Sequence, residues 1–238
     1  MLILNKQWMY IHIPRTSGVN FKRLVAKYYS KPFVQYGDKI TTNYIECPKV
    51  NELYWGNYDN QLLDNLNISL DIKSTLHAMP MYCSLAMWQE AEVYNDEKVF
   101  TIVRNPYTRL VSLFNFYQKV IYKYIEFSKV PTLEDFIFHP IYKKAFKIYG
   151  FSTPDRNQVD FLKNRDGIIV CDRFYKMETH QKKIQRDFRL ENINTWKYNT
   201  GEYNKDYSSI YTDKLINYVQ TTFKQDFDYF EYDINPFW

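Results

Sequence analysis

The sequence predicts an α/β fold built on a central parallel β-sheet. Three short apolar runs have strand character, at residues 9–13, 98–103 and 167–174, and a helical pattern follows each of them. The run at 98–103 is almost continuously apolar, which is typical of parallel strands covered on both faces, and the run at 167–174 is a further candidate for such a strand. Strands that alternate with helices indicate parallel crossover units. Since the 238 residues show no repeat, linker or composition shift, we expect one domain over residues 1–238.

The first strand leads into a turn whose residues are typical of phosphate binding. Pro14 stops the strand, Arg-Thr-Ser-Gly follows at residues 15–18, and a helical pattern opens at Phe21. The N–H groups of such a turn and the positive end of the helix dipole point at one spot. Arg15 adds a charged fork that suits anionic oxygens. The segment is not GxxxxGK[ST], so the usual nucleoside-triphosphate loop is not indicated. An ordinary connection with a surface arginine is the alternative.

A second strand-to-helix turn lies in the segment VRNPYTRLVS. Arg104 ends the strand, Asn105 is a favourable N-cap, and Pro106 is a favourable first helical residue. In helical spacing, Arg109 and Ser112 share one face near the start of that helix. The pattern therefore predicts that Arg104, Arg109 and Ser112 converge on one anion. A capped helix carrying surface arginines is the alternative.

The other helices are predicted from caps and apolar spacing. Thr132 followed by Asp135 matches a capping box, and Thr212 caps a last helix that runs to about Phe223 before an aromatic tail. Further helices are expected at residues 19–29, 85–94, 106–124, 157–162 and 177–188. Residues 30–73 mix Gly, Asn, Asp and Pro with isolated aromatic residues, and we expect irregular structure there with a short strand or helix.

The two turn segments, IHIPRTSG and TIVRNPYTRLVS, together resemble the signature segments of PAPS-dependent sulfotransferases, where PAPS is 3′-phosphoadenosine 5′-phosphosulfate. The likeness is greatest to the carbohydrate branch, which includes heparan sulfate 2-O- and 6-O-sulfotransferases and chondroitin-type enzymes. It implies a P-loop-type, three-layer fold with a central parallel sheet flanked by helices. It also implies sulfuryl transfer from PAPS to a hydroxyl of an acceptor, with a saccharide favoured. Weaker likenesses lie at Asn157-Gln158, at residues 173–178 and at residues 207–232.

The resemblance also implies which residues hold the donor. The first segment would hold the 5′-phosphosulfate through Arg15, Thr16, Ser17, Gly18, Val19, Asn20 and Phe21, with Arg15 also serving catalysis. The second, an Arg followed eight positions later by a Ser, would hold the 3′-phosphate through Arg104 and Ser112, with Arg109 beside them. A late loop would add Lys197, together with Asn199 and Lys205. The family usually has Lys where Arg15 stands, and arginine keeps the charge but is bulkier and does not easily release a proton.

A general base is needed to deprotonate the acceptor hydroxyl, and a neutral histidine suits that role at pH 7. His77, just before the helix that leads into the second motif strand, is the candidate because related glycan sulfotransferases carry a histidine in a similar place. His12 lies within a strand and is expected to be a packed core residue. The other histidines and the fallback carboxylates are His139, His180, Glu46, Glu90 and Glu92. No spacing of carboxylates, histidines or cysteines implies a metal.

Bulk properties narrow the class of protein. A net charge of +4, from 31 basic and 27 acidic residues, suits an acidic ligand, and no basic run indicates nucleic-acid binding. Cys47, Cys83 and Cys171 lie far apart and are expected to be free thiols in a reducing compartment. Without a signal peptide or a membrane span in the sequence as given, we expect a cytoplasmic protein. A trimmed lumenal domain would look the same.

Two other functions compete with the sulfotransferase interpretation. One is a catalytically weak or inactive module of the same fold that binds PAP, PAPS or a glycan, which the Arg15 departure and the loose context of His77 favour. The other is a kinase of related architecture, which the missing Lys-Ser/Thr pair disfavours.

Overall fold

The computed structural model describes residues 2–4, 8–18, 21, 84–90, 98–116, 118, 132–139, 155–179, 181–188 and 206–236. The chain divides into two compact units. The first holds the described residues up to Asn105 and those at 158–188, and the second holds those at 106–157 and 206–236. The prediction of irregular structure at 30–73 and most of the predicted helix at 19–29 lie outside the described residues. The prediction of a single domain stays a prediction.

The first unit is built on a four-stranded sheet in the order β1-β2-β3-β4. The strands are β1 (Leu2–Leu4), β2 (Trp8–Ile11), β3 (Lys98–Val103) and β4 (Arg173–Lys176). β1 is antiparallel to β2, whereas β2, β3 and β4 are mutually parallel. All of β3 except Lys98 is buried, in agreement with the continuous apolar run of its sequence. An α/β fold with a parallel sheet is therefore confirmed.

The helices begin where local chemistry favours them. They are α1 (Leu85–Glu90), α2 (Pro106–Phe116), α3 (Leu133–Phe138), a 3-10 turn (Val159–Phe161), α4 (Gln181–Asp187), α5 (Asp213–Thr222) and α6 (Lys224–Phe230). Two of the three predicted caps are confirmed, because Thr132 Oγ1 accepts the Asp135 N–H at 3.1 Å and Thr212 Oγ1 accepts the Leu215 N–H at 3.3 Å. The cap predicted at Asn105 stays a prediction. Within the described ranges no helix combines the length and apolar character that crossing a membrane requires.

The third strand does not lie where the apolar run predicted it. The run at 167–174 begins in a turn, where Gly167 has φ 77° and Ile168 is 61% exposed. Asp172 sets the start of the sheet strand: its Oδ2 accepts the Val99 N–H at 2.7 Å, and its own N–H donates to the Val99 carbonyl at 2.8 Å. β4 therefore begins only at Arg173. The helix predicted over 177–188 also starts late, after a turn at 177–179.

Aromatic side chains form the core of the first unit. Tyr10, Phe21, Phe100, Tyr175 and Phe188 are all buried, and the rings of Phe100 and Phe188 lie 4.6 Å apart. Phe21 lies 5.0 Å from Tyr10 and meets Phe100 edge-on at 5.8 Å. Tilted and edge-on pairs are the favourable arrangements of aromatic rings. Phe21 therefore anchors the residues after the first turn onto the sheet.

The second unit is helical and packs α2, α3, α5 and α6 around their apolar faces. The Tyr211 hydroxyl donates to the Tyr107 carbonyl at 2.7 Å, and the Tyr107 hydroxyl donates to the Ile234 carbonyl at 2.8 Å. Burial raises the pKa of Tyr107 above its ordinary value. The core residues of this unit are Tyr107, Leu110, Val111, Leu113, Leu133, Phe136, Ile137, Tyr207, Tyr211, Leu215, Val219, Phe223 and Phe227.

Candidate functional site

Two turns leave the same edge of the sheet. The first turn, residues 14–18, follows β2, and the second turn, residues 104–105, follows β3. β2 and β3 are parallel neighbours in which Ile11 pairs with Thr101, and the Thr101 hydroxyl donates to the Ile11 carbonyl at 2.8 Å. The carboxyl ends of both strands therefore meet at one edge. In open α/β sheets this is the edge where ligands bind.

The first turn holds two residues in the left-handed region of backbone space. Arg15 has φ 68° and Ser17 has φ 72°. Residues other than glycine rarely adopt this backbone conformation, which costs about 1–3 kcal/mol for each residue. The buried Thr16 lies between them, and its hydroxyl donates to the Ile13 carbonyl at 2.9 Å. Left-handed residues that alternate with ordinary ones direct successive N–H groups into a concavity that suits an anion.

Gly18 lies directly against the side chains beneath the turn. A Cβ at this position would be 2.1 Å from His12 Cδ2, 2.2 Å from His12 Nε2 and 2.6 Å from the Tyr10 hydroxyl. Both rings are buried and stack on each other with their centroids 5.9 Å apart, so the prediction that His12 is a packed core residue is confirmed. Because no side chain fits there, only glycine lets the backbone approach this closely.

The helix after the first turn begins at Gly18, and the Phe21 N–H donates to the Ser17 carbonyl at 3.1 Å. The Phe21 ring belongs to the aromatic core. The N–H and the ring of Phe21 thus both contact other protein groups. The ligand contact predicted for this residue stays a prediction. Val19 and Asn20 lie outside the described residues.

The second turn carries Arg104, which is brought next to the first turn. Its Nη1 lies 3.4 Å from the Arg15 carbonyl, a long hydrogen bond. The Arg104 backbone is held by the buried Gln158, whose Oε1 accepts the Arg104 N–H at 2.9 Å and whose Nε2 donates to the Arg104 carbonyl at 2.8 Å. The next N–H, of Asn105, donates to Glu178 Oε1 at 2.8 Å. Two side chains therefore fix the backbone from which the Arg104 guanidinium projects.

Two further candidates lie on α2, in the second unit. Arg109 is 4% exposed, and its Nη1 donates to the Arg156 carbonyl at 2.9 Å, so part of its fork is used inside this unit. Ser112 is half-buried on the same helix. The convergence of Arg109 and Ser112 with Arg104 on one anion stays a prediction.

The other predicted site residues cannot be placed against this geometry. His77, Lys197 and their neighbours in sequence lie outside the part of the chain that the structure describes, as do the fallback carboxylates Glu46 and Glu92 and the loop residues Asn199 and Lys205. Glu90 ends α1. His139 is exposed at the end of α3. The roles proposed for these residues stay predictions.

The opposite, amino edge of the sheet has its own charged cluster. Trp8 begins β2, and its ring lies under the Arg173 guanidinium at 5.1 Å and the Lys98 ammonium at 5.7 Å. Arg173 Nη1 lies 3.2 Å from Asp187 Oδ2, which also accepts the Tyr175 hydroxyl at 2.9 Å. Burial, reinforced by Asp187, raises the pKa of Tyr175 to about 12. These cations are engaged with protein groups.

Sequence reasoning did not assign the supporting roles of Gln158, Glu178 and Tyr10. The available signal was a polar Gln158 followed by Val159, Phe161 and Leu162, since a polar residue in an apolar segment is buried only when its hydrogen bonds are made.

Comparison of the chain with protein-family models, with curated proteins and with solved structures finds no match in any of the three. The functional conclusion therefore depends on the residues and their geometry.

Proposed function

We propose that this chain is a PAPS-dependent sulfotransferase that acts on a hydroxyl of a saccharide, with the P-loop-type three-layer fold of that family. One observation carries the proposal. At the carboxyl edge of a parallel sheet, the first turn has left-handed Arg15 and Ser17, a Gly18 without room for a side chain, and a cation from the second turn beside it. Proteins retain strained backbone conformations, and positions where only glycine fits, at binding sites.

The residues present fit the phosphate groups of PAPS. The N–H groups of the first turn and the Arg15 guanidinium would hold the 5′-phosphosulfate, because fixed dipoles and a fork of donors suit an anion. Arg104 would hold the 3′-phosphate, and the family resemblance extends the same role to Ser112 and Arg109. In the first unit Arg104 Nη1 lies 3.4 Å from the Arg15 carbonyl, so the charge of Arg104 lies next to the first turn.

Sulfuryl transfer requires the protein to position the donor and to stabilise the charge that develops during the reaction. PAPS supplies a sulfuryl group on a phosphate leaving group, and such transfers proceed in line through a loose transition state. Arg15 and the N–H groups of the first turn would stabilise the charge that develops on the phosphate. His77 would accept the proton of the acceptor hydroxyl. Arginine in place of the family's lysine holds the charge without giving up a proton, so we expect chemistry to be slow relative to donor binding.

The alternative function is a module that binds PAP, PAPS or a glycan without turnover, and Arg15 is the observation that favours it. A kinase is less favoured, because the first turn lacks the Lys-Ser/Thr pair of nucleoside-triphosphate loops. These functions differ in what they consume. The sulfotransferase needs PAPS and an acceptor, the binding module consumes nothing, and the kinase consumes a nucleoside triphosphate with magnesium.

A transfer assay with labelled PAPS tests the proposal. Wild-type protein is incubated in EDTA with a panel of glycosaminoglycans and small hydroxyl acceptors, and label on the acceptor is measured. We expect the wild type to transfer label to the acceptor. In His77→Ala the transfer rate should fall by about 100-fold or more while the affinity for PAP is unchanged. In Arg15→Lys the transfer rate should rise. PAP binding without transfer by either the wild type or Arg15→Lys would identify the binding module. In a parallel reaction with ATP and magnesium in place of PAPS and EDTA, consumption of ATP would identify the kinase.

A further inference from the structure

The amide of Gln158 continues the hydrogen bonding of the sheet beyond the end of β3. The last ladder pair joins Val103 to Lys176, and the Met177 N–H still donates to the Val103 carbonyl at 2.8 Å. At Arg104, one residue further, a side chain replaces the strand. Gln158 accepts from the N–H at 2.9 Å and donates to the carbonyl at 2.8 Å. One amide thus satisfies both polar groups of one residue.

This pairing leaves little freedom at the second turn. Gln158 is fully buried, so neither of its hydrogen bonds is readily exchanged for water. Glu178 Oε1 accepts the next N–H, that of Asn105, at 2.8 Å. The backbone on both sides of the Arg104 side chain is therefore fixed, and the guanidinium reaches the Arg15 carbonyl from that fixed base.

We propose that Gln158 is a positioning residue for the anion site, which holds the Arg104 guanidinium where it meets the phosphate of the nucleotide. The inference rests on the proposed function, since it assumes that Arg104 binds PAPS or PAP. Gln158 itself does not touch the ligand. It acts through two backbone hydrogen bonds, and a small displacement of such a support moves a charged group out of bidentate geometry.

The requirement for one acceptor and one donor gives a specific chemical test. In Gln158→Glu the ionised carboxylate still accepts the Arg104 N–H, but it faces the Arg104 carbonyl with a second acceptor and repels it. When protonated, the carboxylic acid again has one acceptor and one donor, as the amide does. Burial raises the pKa of a carboxyl group, so protonation is expected within a usable pH range. Gln158→Met is close in size and lacks both groups at every pH.

The experiment measures the dissociation constant of PAP by calorimetry for each variant between pH 5.5 and pH 8, relative to wild type at the same pH. The ratio removes the titration of the PAP phosphates themselves. The charged residues on the elements that meet at this turn are the same in all of these variants: Arg104, Glu178, Arg15, Asp160 and Lys176. The exposed Gln225→Glu on α6 adds the same charge elsewhere and serves as the control.

We expect Gln158→Glu to bind PAP about tenfold or more weakly than wild type at pH 8, and to come within about threefold at pH 5.5. Gln158→Met should have a deficit that does not change with pH, and Gln225→Glu should bind as wild type. A merely structural role would lower the melting temperature without a recovery of affinity at low pH, and would overturn the inference.

Two further outcomes separate this inference from the proposed function. If the wild type binds PAP and Gln158→Glu binds equally well at every pH, the positioning role is wrong while the proposed function stands. If the folded wild type does not bind PAP at all, both are wrong. Should Gln158→Glu fail to fold at pH 8, Gln158→Met decides: reduced affinity in folded protein supports the role, and wild-type affinity contradicts it.

Discussion

Replacing Gly18 by alanine tests the geometry of the first turn most sharply. The added methyl group would lie 2.1 Å from His12 Cδ2 and 2.6 Å from the Tyr10 hydroxyl. Comfortable contacts between carbon atoms are about 3.5–4.0 Å, so the turn or the His12 ring must move by roughly 1.5 Å. Both rings are buried, and protein interiors are close-packed, so such a movement displaces further neighbours.

The cost follows from this crowding. Overpacking of a well-packed site typically costs about 1–3 kcal/mol, and we expect the free energy of unfolding of Gly18→Ala to fall by that amount. If the turn instead lifts away from the rings, its N–H groups leave their positions and the loss appears in PAP affinity. Since about 1.4 kcal/mol corresponds to a tenfold change, the expected weakening is between about fivefold and about a hundredfold.

The assay combines denaturant unfolding with calorimetric binding of PAP. Gly167→Ala is the matched control: Gly167 has φ 77° but nothing lies within 4 Å of the added Cβ, so only conformational strain of about 1 kcal/mol is expected and PAP affinity should not change. His12→Ala in the Gly18→Ala background removes the ring that obstructs the methyl group. A favourable coupling of about 0.5–3 kcal/mol between the two changes is expected in the double-mutant cycle.

The reasoning would be refuted if Gly18→Ala unfolded and bound PAP as the wild type does. It would also be refuted if the two changes were additive, because the clash would then not involve His12. A larger effect in Gly167→Ala than in Gly18→Ala would mean that backbone conformation, not the close approach to the rings, determines the requirement for glycine.

Three other predictions concern stability and reactivity. Thr212→Ala should lower the free energy of unfolding by about 1 kcal/mol, whereas Thr212→Ser should not, because the hydroxyl that accepts the Leu215 N–H is lost only in the first. Burial raises the pKa of Tyr218 from 10.0 to about 12, so its stabilising contribution is complete below pH 10 and is lost as the pH rises through 12. In Tyr218→Phe the free energy of unfolding should therefore decline less steeply in alkaline solution. An unchanged slope would contradict this. Burial also raises the pKa of the Cys171 thiol to about 12, and mass spectrometry should find it alkylated at pH 8 about tenfold or more slowly in folded than in unfolded protein.

Local chemistry explains which elements could be predicted from the sequence. β3 is a continuous apolar run, and α2 begins at Pro106 as its residues indicate. The Thr132 and Thr212 caps depend only on residues three positions apart. The start of β4 instead depends on the bonds between Asp172 and Val99, which are distant in the sequence, so an apolar pattern alone placed the strand too early. The aromatic tail, for which no helix was predicted, forms α6.

In the candidate site, too, the features that depend on local sequence could be predicted and those that depend on tertiary contacts could not. Small polar residues after a strand predicted the first turn, and the left-handed conformations of Arg15 and Ser17 agree with the tight geometry that such a turn needs. The support of Arg104 by Gln158 joins segments that no local pattern connects, and the close contact between Gly18 and His12 depends on the three-dimensional path of the turn. An apolar sequence context predicts that a polar residue is buried, but tertiary packing determines its hydrogen-bond partners.

The most direct test of the central claim is calorimetric binding of PAP in the absence of metal, on the wild type and on Arg104→Ala. Arg186→Ala, which removes an arginine side chain that is 69% exposed, is the control for lost charge. We expect the wild type and Arg186→Ala to bind PAP alike and Arg104→Ala to bind about tenfold or more weakly, since hydrogen bonds to charged groups are worth about 1.5–3 kcal/mol. A folded wild-type protein that does not bind PAP would contradict the claim.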